Sequence, residues 1–256
     1  MLIVLLGAAL SSAAVLPAGV LPPVNPAARS QYVAVIMWHD VVASKRQVWF
    51  DTPVSELRRQ FMLFHARHFH VVSLQQLYAH LASGAPLPSQ PVALTFDDNY
   101  GGLYRYAYPL LREFRYPATF FAHTSYVGVT TEKPHNTWEQ LREMQASGLV
   151  TVQPQTETHP EDLRTLSDQR LAGEFGGAAR VMRQHLGRDI VATSYPNGRY
   201  DDRVAAAAGR AGYRLGFMED WGSAGASKSL LEVHRYSAHR RFQQAVRDLA
   251  ASGRAR

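Results

Sequence analysis

The sequence predicts an α/β fold, a barrel of about seven or eight strand–helix units. Three observations predict it. Apolar runs of strand length alternate with helical patterns from Tyr32 to the C-terminal region. The runs are apolar at consecutive positions, as expected of parallel strands covered by helices on both sides. Some seven units share about 225 residues with no second linker and no internal repeat, which suits one barrel better than two domains.

The elements follow in order. Tyr32–Trp38 is a near-continuous apolar strand. Thr52-Pro53 reads as a helix start, with Thr as N-cap and Pro in the first turn, followed by Leu57, Phe61 and Phe64 at helical spacing. Val71-Val72 is a short strand, and Ser73 caps a helix carrying Leu74, Leu77 and Leu81. Val92–Phe96 is a strand, followed by a helix through Leu103, Ala107, Leu110, Leu111 and Phe114. Thr119–Ala122 is the next strand. Thr137 to Gln140 spells a capping box. Leu149–Val152 is a strand, and Ser167 opens a long helix to about Leu186 whose middle holds Gly173, Gly176 and Gly177. Ile190–Tyr195, a helix near Asp202–Ala211, a strand at Tyr213–Met218 and a last helix from about Arg241 to Ala250 complete the series.

Composition narrows the class. Of 256 residues 46% are apolar and 19% charged, which excludes a disordered tail, a collagen-like rod and a polytopic membrane protein. The formal charge is +6, and from Arg210 onward nine Lys/Arg face four Asp/Glu. That excess favours an anionic surface such as a cell envelope. No aromatic-rich basic motif accompanies it, so no nucleic-acid partner is expected. The absence of cysteine excludes disulfides, thiolate zinc sites and cysteine nucleophiles. Met1 to Val15 is almost wholly apolar and ends near Ser12-Ala13-Ala14, a small-x-small cleavage pattern. The expected organisation is a signal peptide over 1–14, a linker over 15–30 and one domain over 31–256, placed outside the cytoplasm.

In such barrels chemistry collects at the C-terminal ends of the strands. Four polar clusters fall there: His39-Asp40, Asp97-Asp98-Asn99, Gln155 to His159, and Tyr195-Pro196-Asn197-Gly198. Adjacent carboxylates at a strand end suit a metal ligand beside a proton acceptor, and they equally suit helix capping. His159 suits a metal and also a solvated loop. His39 suits a general acid and also a buried structural histidine. Pro196-Asn197-Gly198 is a turn whose N–H groups suit a reacting oxygen. His65, His68 and His70 read as a solvated face.

Together these residues resemble a known family. Val92 to Asp98, then Tyr108 to Leu111, Pro117 to Ala122, Thr156 to Pro160 and Tyr195 to Asp202 resemble the successive motifs of polysaccharide deacetylases, the NodB-homology enzymes of carbohydrate esterase family four. Ile36 to Asp40 and Gln47 to Thr52 resemble the poly-β-1,6-N-acetylglucosamine deacetylase branch, in which the fold is circularly permuted. The resemblance implies a distorted barrel of seven or eight units that removes acetyl groups from N-acetylglucosamine polymers. It implies Asp97 as general base, His39 as general acid, and Asp98 and His159 as ligands of a divalent transition metal (zinc, with nickel or cobalt as alternatives). It places Asn197, Tyr195 and Trp221 among the substrate and oxyanion residues. Its polysaccharide partner contains N-acetylglucosamine, and the expected state is a monomer. Two departures stand out. Gln155 occupies the position of the first metal histidine, and Ser194 that of an arginine which partners the base. Gln155 motivates a second reading, a protein of this fold that binds glycan without hydrolysing it. A metal hydrolase acting on peptidoglycan or an acetyl ester is a third.

Overall fold

The computed structural model describes residues 20–187 and 190–254. The leader expected over 1–14 and the first part of the linker lie outside the described residues. Residues 20–30, read as linker, lie on the body: Val24 and Ala28 are buried, and Leu230 N–H donates to the Pro22 carbonyl at 2.8 Å. Among the described residues no helix is long and apolar enough to cross a membrane.

The strands in chain order are β1 (Ala34–Trp38), β2 (Val41–Val42), β3 (Thr52–Pro53), β4 (His70–Val72), β5 (Pro91–Phe96), β6 (Ala118–Ala122), β7 (Val150–Pro154), β8 (Ala192–Ser194), β9 (Leu215–Phe217) and β10 (Tyr236–Ser237). The helices are α1 (Val54–Ala66), α2 (Leu74–Ser83), α3 (Tyr108–Phe114), α4 (Trp138–Ala146), α5 (Asp168–Leu186), α6 (Asp202–Arg210) and α7 (Ala238–Arg254). The main sheet runs β10-β1-β5-β6-β7, with β4 also paired to β5, and every ladder in it is parallel. β8 and β9 form a separate parallel pair. Side chains splice the two sheets. Gln153 Oε1 on β7 accepts from the N–H groups of Val191 and Ala192, at 2.8 and 2.9 Å. Thr193 Oγ1 donates to the Gln155 carbonyl at 2.8 Å. The result is an α/β arrangement of parallel strands and flanking helices, the class the sequence predicts.

β1 and β5 are buried along their whole length, and so is β6. Both faces of these strands are buried, which is why they show unbroken apolar runs rather than alternation. Trp38 stacks on Phe96 with ring centroids 5.2 Å apart and donates Nε1–H to Gln60 on α1. α2 and α4 open with the capping boxes expected at Ser73 and Thr137.

Two local expectations differ. Thr52-Pro53 does not begin α1; it forms β3 against β2, and Thr52 N–H donates to the Asp40 carbonyl. A ladder to a distant segment outweighs the local cap, and α1 starts one residue later without a side-chain cap. The helix expected through Leu103 begins as a wide π-turn over Leu103–Ala107 before α3. Pro109 has no N–H to close the narrower α-helical bond there. The glycines of α5 have a use at Gly177, where the Glu157 carboxylate occupies the space a Cβ would fill.

Candidate active site

The ends of β1, β5 and β7, together with the turn after β8, carry the predicted clusters. Asp97 follows β5 and is 1% exposed. Its partner is Arg235, which immediately precedes β10 and is fully buried. Arg235 Nη1 donates to Asp97 Oδ1 and Nη2 to Oδ2, both at 2.8 Å. Ser194 Oγ donates to Asp97 Oδ2 at 2.7 Å and accepts from Arg235 Nη2 at 2.8 Å. The arginine absent at position 194 is therefore supplied from another strand, and the shorter serine leaves room for it. The remaining guanidinium N–H groups reach Thr95 Oγ1 and the Met218 carbonyl. A buried guanidinium with every donor engaged holds the carboxylate in one orientation.

Asp98 lies beside it with φ of 71°. Asn99, His159 and Asn197 also adopt left-handed backbone, so three of the four predicted clusters carry a residue that sterics disfavour. Asp98 Oδ1 stands 3.4 Å from His159 Nε2, and Oδ2 stands 3.9 Å from His39 Nε2. Burial alone would raise the Asp98 carboxyl, but the His159 contact and the charges of His39 and His123 hold it far below the usual range. His159 is shifted the opposite way. Burial disfavours its charge, yet Asp98 raises it above the ordinary imidazole value.

The loop bearing His159 is held by α5. Glu174 Oε2 accepts from the N–H groups of Glu157 and Thr158, and Oε1 accepts from Thr158 Oγ1. Thr156 Oγ1 accepts from His159 N–H at 3.1 Å, turning the imidazole toward Asp98. Glu157 points at α5 through its contact with Gly177.

His39 follows β1, with Phe50, Trp49 and His239 around its ring at centroid distances of 5.5, 6.1 and 6.4 Å. Trp49 is 57% exposed, so the rim beside His39 is open to solvent. Asp40 does not orient His39. Its carboxylate pairs with Lys133 at 2.8 Å, and Lys133 also contacts Asp51. This buried triad ties the loop after β6 to the β1 end. Lys133 keeps its proton because the two carboxylates outweigh its burial.

The expected metal set is incomplete. Gln155 is 2% exposed, and its Oε1 accepts the Asp98 N–H at 3.2 Å. An amide oxygen so engaged is a poor substitute for imidazole toward a transition metal. Among the described residues no group of three histidine, cysteine, aspartate or glutamate side chains stands close enough to hold an ion. Asp98 and His159 fit such a ligand pair; Gln155 does not fit as their third.

The other predicted residues divide. Asn197 sits in the turn after β8, exposed, with its side chain donating to the Glu161 carbonyl. Tyr195 is fully buried, donates its hydroxyl to the Leu231 carbonyl and stacks on Tyr200 at 4.8 Å. Its side chain belongs to the core rather than to a substrate groove. Trp221 is 51% exposed beneath the Arg241 guanidinium, and it lines a cavity of about 870 Å³ with Tyr32, Tyr236 and Asp248. That cavity opens beside residues preceding β1 and β5, at the opposite ends of those strands from Asp97.

Sequence reasoning missed Arg235, His123 and Lys133, and noticed Glu219 only as a neighbour of Trp221. His123 follows β6 and is 5% exposed, its ring centroid 5.2 Å from that of His159. Burial pushes its imidazole down to about 3, against the pull of Asp98. Glu219 follows β9. Burial raises its carboxyl; the charges of Arg235 and His39 oppose that shift, and those of Asp97 and Asp98 add to it. A strand-end position was the available signal for His123 and Glu219.

The site can be set beside known proteins. The polysaccharide deacetylase family pattern matches residues 84–216. The chain is 25% identical over 201 residues to "Putative polysaccharide deacetylase YxkH" of Bacillus subtilis, covering 78% of this chain and 69% of that protein. It is 31% identical over 134 residues to poly-beta-1,6-N-acetyl-D-glucosamine N-deacetylase of Escherichia coli, covering 47% of this chain and only 20% of that enzyme. Its fold is similar to that of IcaB from Ammonifex degensii, with a TM-score of 0.76 at 23% identity over 87% of this chain and 97% of the other.

Proposed function

The chain belongs to the polysaccharide deacetylase family, and from that premise we propose that it hydrolyses N-acetyl groups of an N-acetylglucosamine polymer, of the poly-β-1,6-linked kind. The single observation that carries this is the buried Asp97, clamped by Arg235 and Ser194 directly beside the Asp98–His159 pair and His39. The order of the site residues, with His39 ahead of Asp97, supports the circularly permuted branch, and so does the likeness of this stretch of chain to the E. coli deacetylase.

Amide hydrolysis needs a base for water, stabilisation of the tetrahedral oxyanion, and an acid for the departing amine. Asp97 takes the proton from water. Its clamp takes three of the roughly four acceptor sites of the carboxylate and leaves one, on Oδ1, for the nucleophile. The backbone N–H of Asn197, at the left-handed turn, faces the developing oxyanion. His39 protonates the amine nitrogen as the carbon–nitrogen bond breaks, releasing acetate and a cationic glucosamine. The exposed Trp49 beside His39 offers an apolar face to a sugar ring. Family members commonly use a metal; in this chain Asp98 and His159 are the residues suited to hold one, which would polarise the acetamide carbonyl. This reading places the protein with its polymer, outside the cytoplasm.

The test is acetate release from β-1,6-linked N-acetylglucosamine oligomers, with β-1,4-linked oligomers as comparison. His39→Ala should slow release by about 10²–10⁴-fold. Asp97→Asn, assayed below its own unfolding temperature, should do at least as much. Gln155 favours the second reading. A wild type that binds the oligomers and releases no acetate would establish a glycan-binding protein in place of the enzyme.

A further inference from the structure

We propose that the cavity beside Trp221 is a second polysaccharide-binding site, away from Asp97, that holds the neutral, acetylated polymer while the strand-end rim works on it. The connection between β9 and β10 explains why the cavity exists. Among the described residues of that connection, 218–235, there is one short 3₁₀ turn and no α-helix. The flank of α7 is therefore left open between the loop after β9 and the chain entering β1 and β5. The walls are fixed. Ser223 Oγ accepts the Val33 N–H at 3.1 Å, and Ala224 N–H donates to the Val33 carbonyl at 2.9 Å. Gly253 on α7 lies so near Gln90 that a Cβ would fall 2.7 Å from its amide. A hollow of about 870 Å³ with such walls is of small-ligand size and formed before any ligand arrives. None of its lining residues belongs to the four strand-end clusters.

The lining has the chemistry of sugar recognition. Trp221 is half exposed, braced by the Arg241 guanidinium 5.0 Å from its ring centroid, with the Tyr236 ring 6.3 Å away. An indole held in one orientation offers a rigid apolar face to the C–H side of a pyranose. Of the tryptophans among the described residues only Trp49 is comparably exposed, and it stands beside His39. On the cavity wall Tyr236 Oη donates to Asp248 Oδ2 at 2.8 Å, Tyr32 Oη meets the same hydroxyl, and Gln244 donates to Asp248 Oδ1 at 2.6 Å. The carboxylate is thus fixed, and the phenol oxygens keep lone pairs for a sugar hydroxyl. Charge selects the occupant. Asp248 opposes an anion, while Arg29 on the wall and Arg241 over Trp221 oppose a cation. A neutral, hydroxyl-rich ring meets neither penalty, so N-acetylglucosamine units fit and deacetylated, cationic units do not.

The proposal rests on the deacetylase reading for the identity of the polymer, so binding and turnover are measured separately. Binding is read by affinity electrophoresis of the full chain, in a His39→Ala background that spares the probe. The gels hold long β-1,6-linked N-acetylglucosamine chains, the same chains chemically deacetylated, or polygalacturonate as an anionic comparison. Trp221→Ala should weaken retention by the acetylated chains about 5–30-fold, as loss of an aromatic anchor does. Ala251→Trp, on the exposed part of α7 that borders the cavity, should fill it and weaken retention similarly. One variant truncates and the other fills, and thermal midpoints show that both are folded. With His39 restored, each should raise KM for long chains by a like factor relative to KM for the disaccharide, which is too short to reach both sites. Trp49→Ala should raise the two KM values together. Retention equal to wild type in both cavity variants overturns the proposal, and so does tighter, Trp221-dependent retention by the deacetylated chains or by polygalacturonate. Trp221-dependent retention by acetylated chains, with no acetate release, would refute the enzyme reading and leave this site standing. Acetate release with retention indifferent to both cavity variants would do the reverse.

Discussion

Replacing Arg235 by Met is the most informative perturbation. Arg235 has five N–H donors, and the structure uses each of them: on both Asp97 oxygens, Ser194 Oγ, Thr95 Oγ1 and the Met218 carbonyl. Both members of the ion pair are out of water, at 0% and 1% side-chain exposure. Methionine matches the aliphatic stem but removes the guanidinium that lies against Phe121 and Phe217, leaving the Asp97 carboxylate buried without a counter-charge. Breaking a buried pair from one side typically costs about 3–5 kcal/mol. In a domain of this size each kcal/mol moves the thermal midpoint by about 2–4 °C, so a drop of about 6–20 °C is expected. Acetate release should fall with it, because Asp97 loses the fork that orients it. The assay is thermal and urea unfolding by circular dichroism, with turnover measured well below the midpoint. Two further variants separate charge from geometry. Arg235→Lys keeps the charge but cannot form two parallel bonds, so it should recover part of the stability and little of the activity. The pair Arg235→Met with Asp97→Leu removes both charges and should be more stable than Arg235→Met alone, though inactive. Stability within about 1 kcal/mol of wild type for Arg235→Met, with turnover intact, would refute the clamp.

Other expectations follow from the same contacts. Ser194→Ala removes one hydrogen bond to a buried carboxylate and should cost about 1.5–3 kcal/mol in urea unfolding, with slower acetate release. Gly102→Ala places a methyl group on the Val41 carbonyl and the Asp40 carboxylate, so it should destabilise by about 1–3 kcal/mol despite alanine's better helix propensity. Lys133→Met leaves Asp40 and Asp51 buried together, and its unfolding midpoint should rise when the pH is lowered toward the carboxylate range, against the trend of wild type. His239 is depressed to about 4, chiefly by burial and also by His39 and Arg46. Between pH about 4 and 6.5 the unfolded chain then binds the extra proton, so stability should fall as pH falls through that window, and His239→Gln should flatten the slope.

Much of this protein is legible along the chain because its determinants are local or periodic. Unbroken apolar runs such as Ala34–Trp38 and Pro91–Phe96 report burial on both faces, hence parallel strands under helices. Ser73 and Thr137 announce their helices through side chains that bond three residues on. The strand-end position of Asp97, Asp98, His39 and His159 was enough to nominate them, since barrel topology sends every strand end to one rim. What remained hidden depends on partners distant in sequence. Arg235 lies 138 residues from Asp97, and nothing around it in the chain distinguishes a clamp from surface charge. Tyr195 stands in a site-like motif yet turns its ring into the core toward Leu231. Thr52-Pro53 looks like a cap and is a strand, because Val41 and Val42 offer it a ladder. His123 has no motif of its own; only the placement of β6 between β5 and β7 brings it to the ion pair. Patterns of burial and capping are written residue by residue, whereas which charge meets which is decided by the order of strands in the sheet, and the sequence does not print that order.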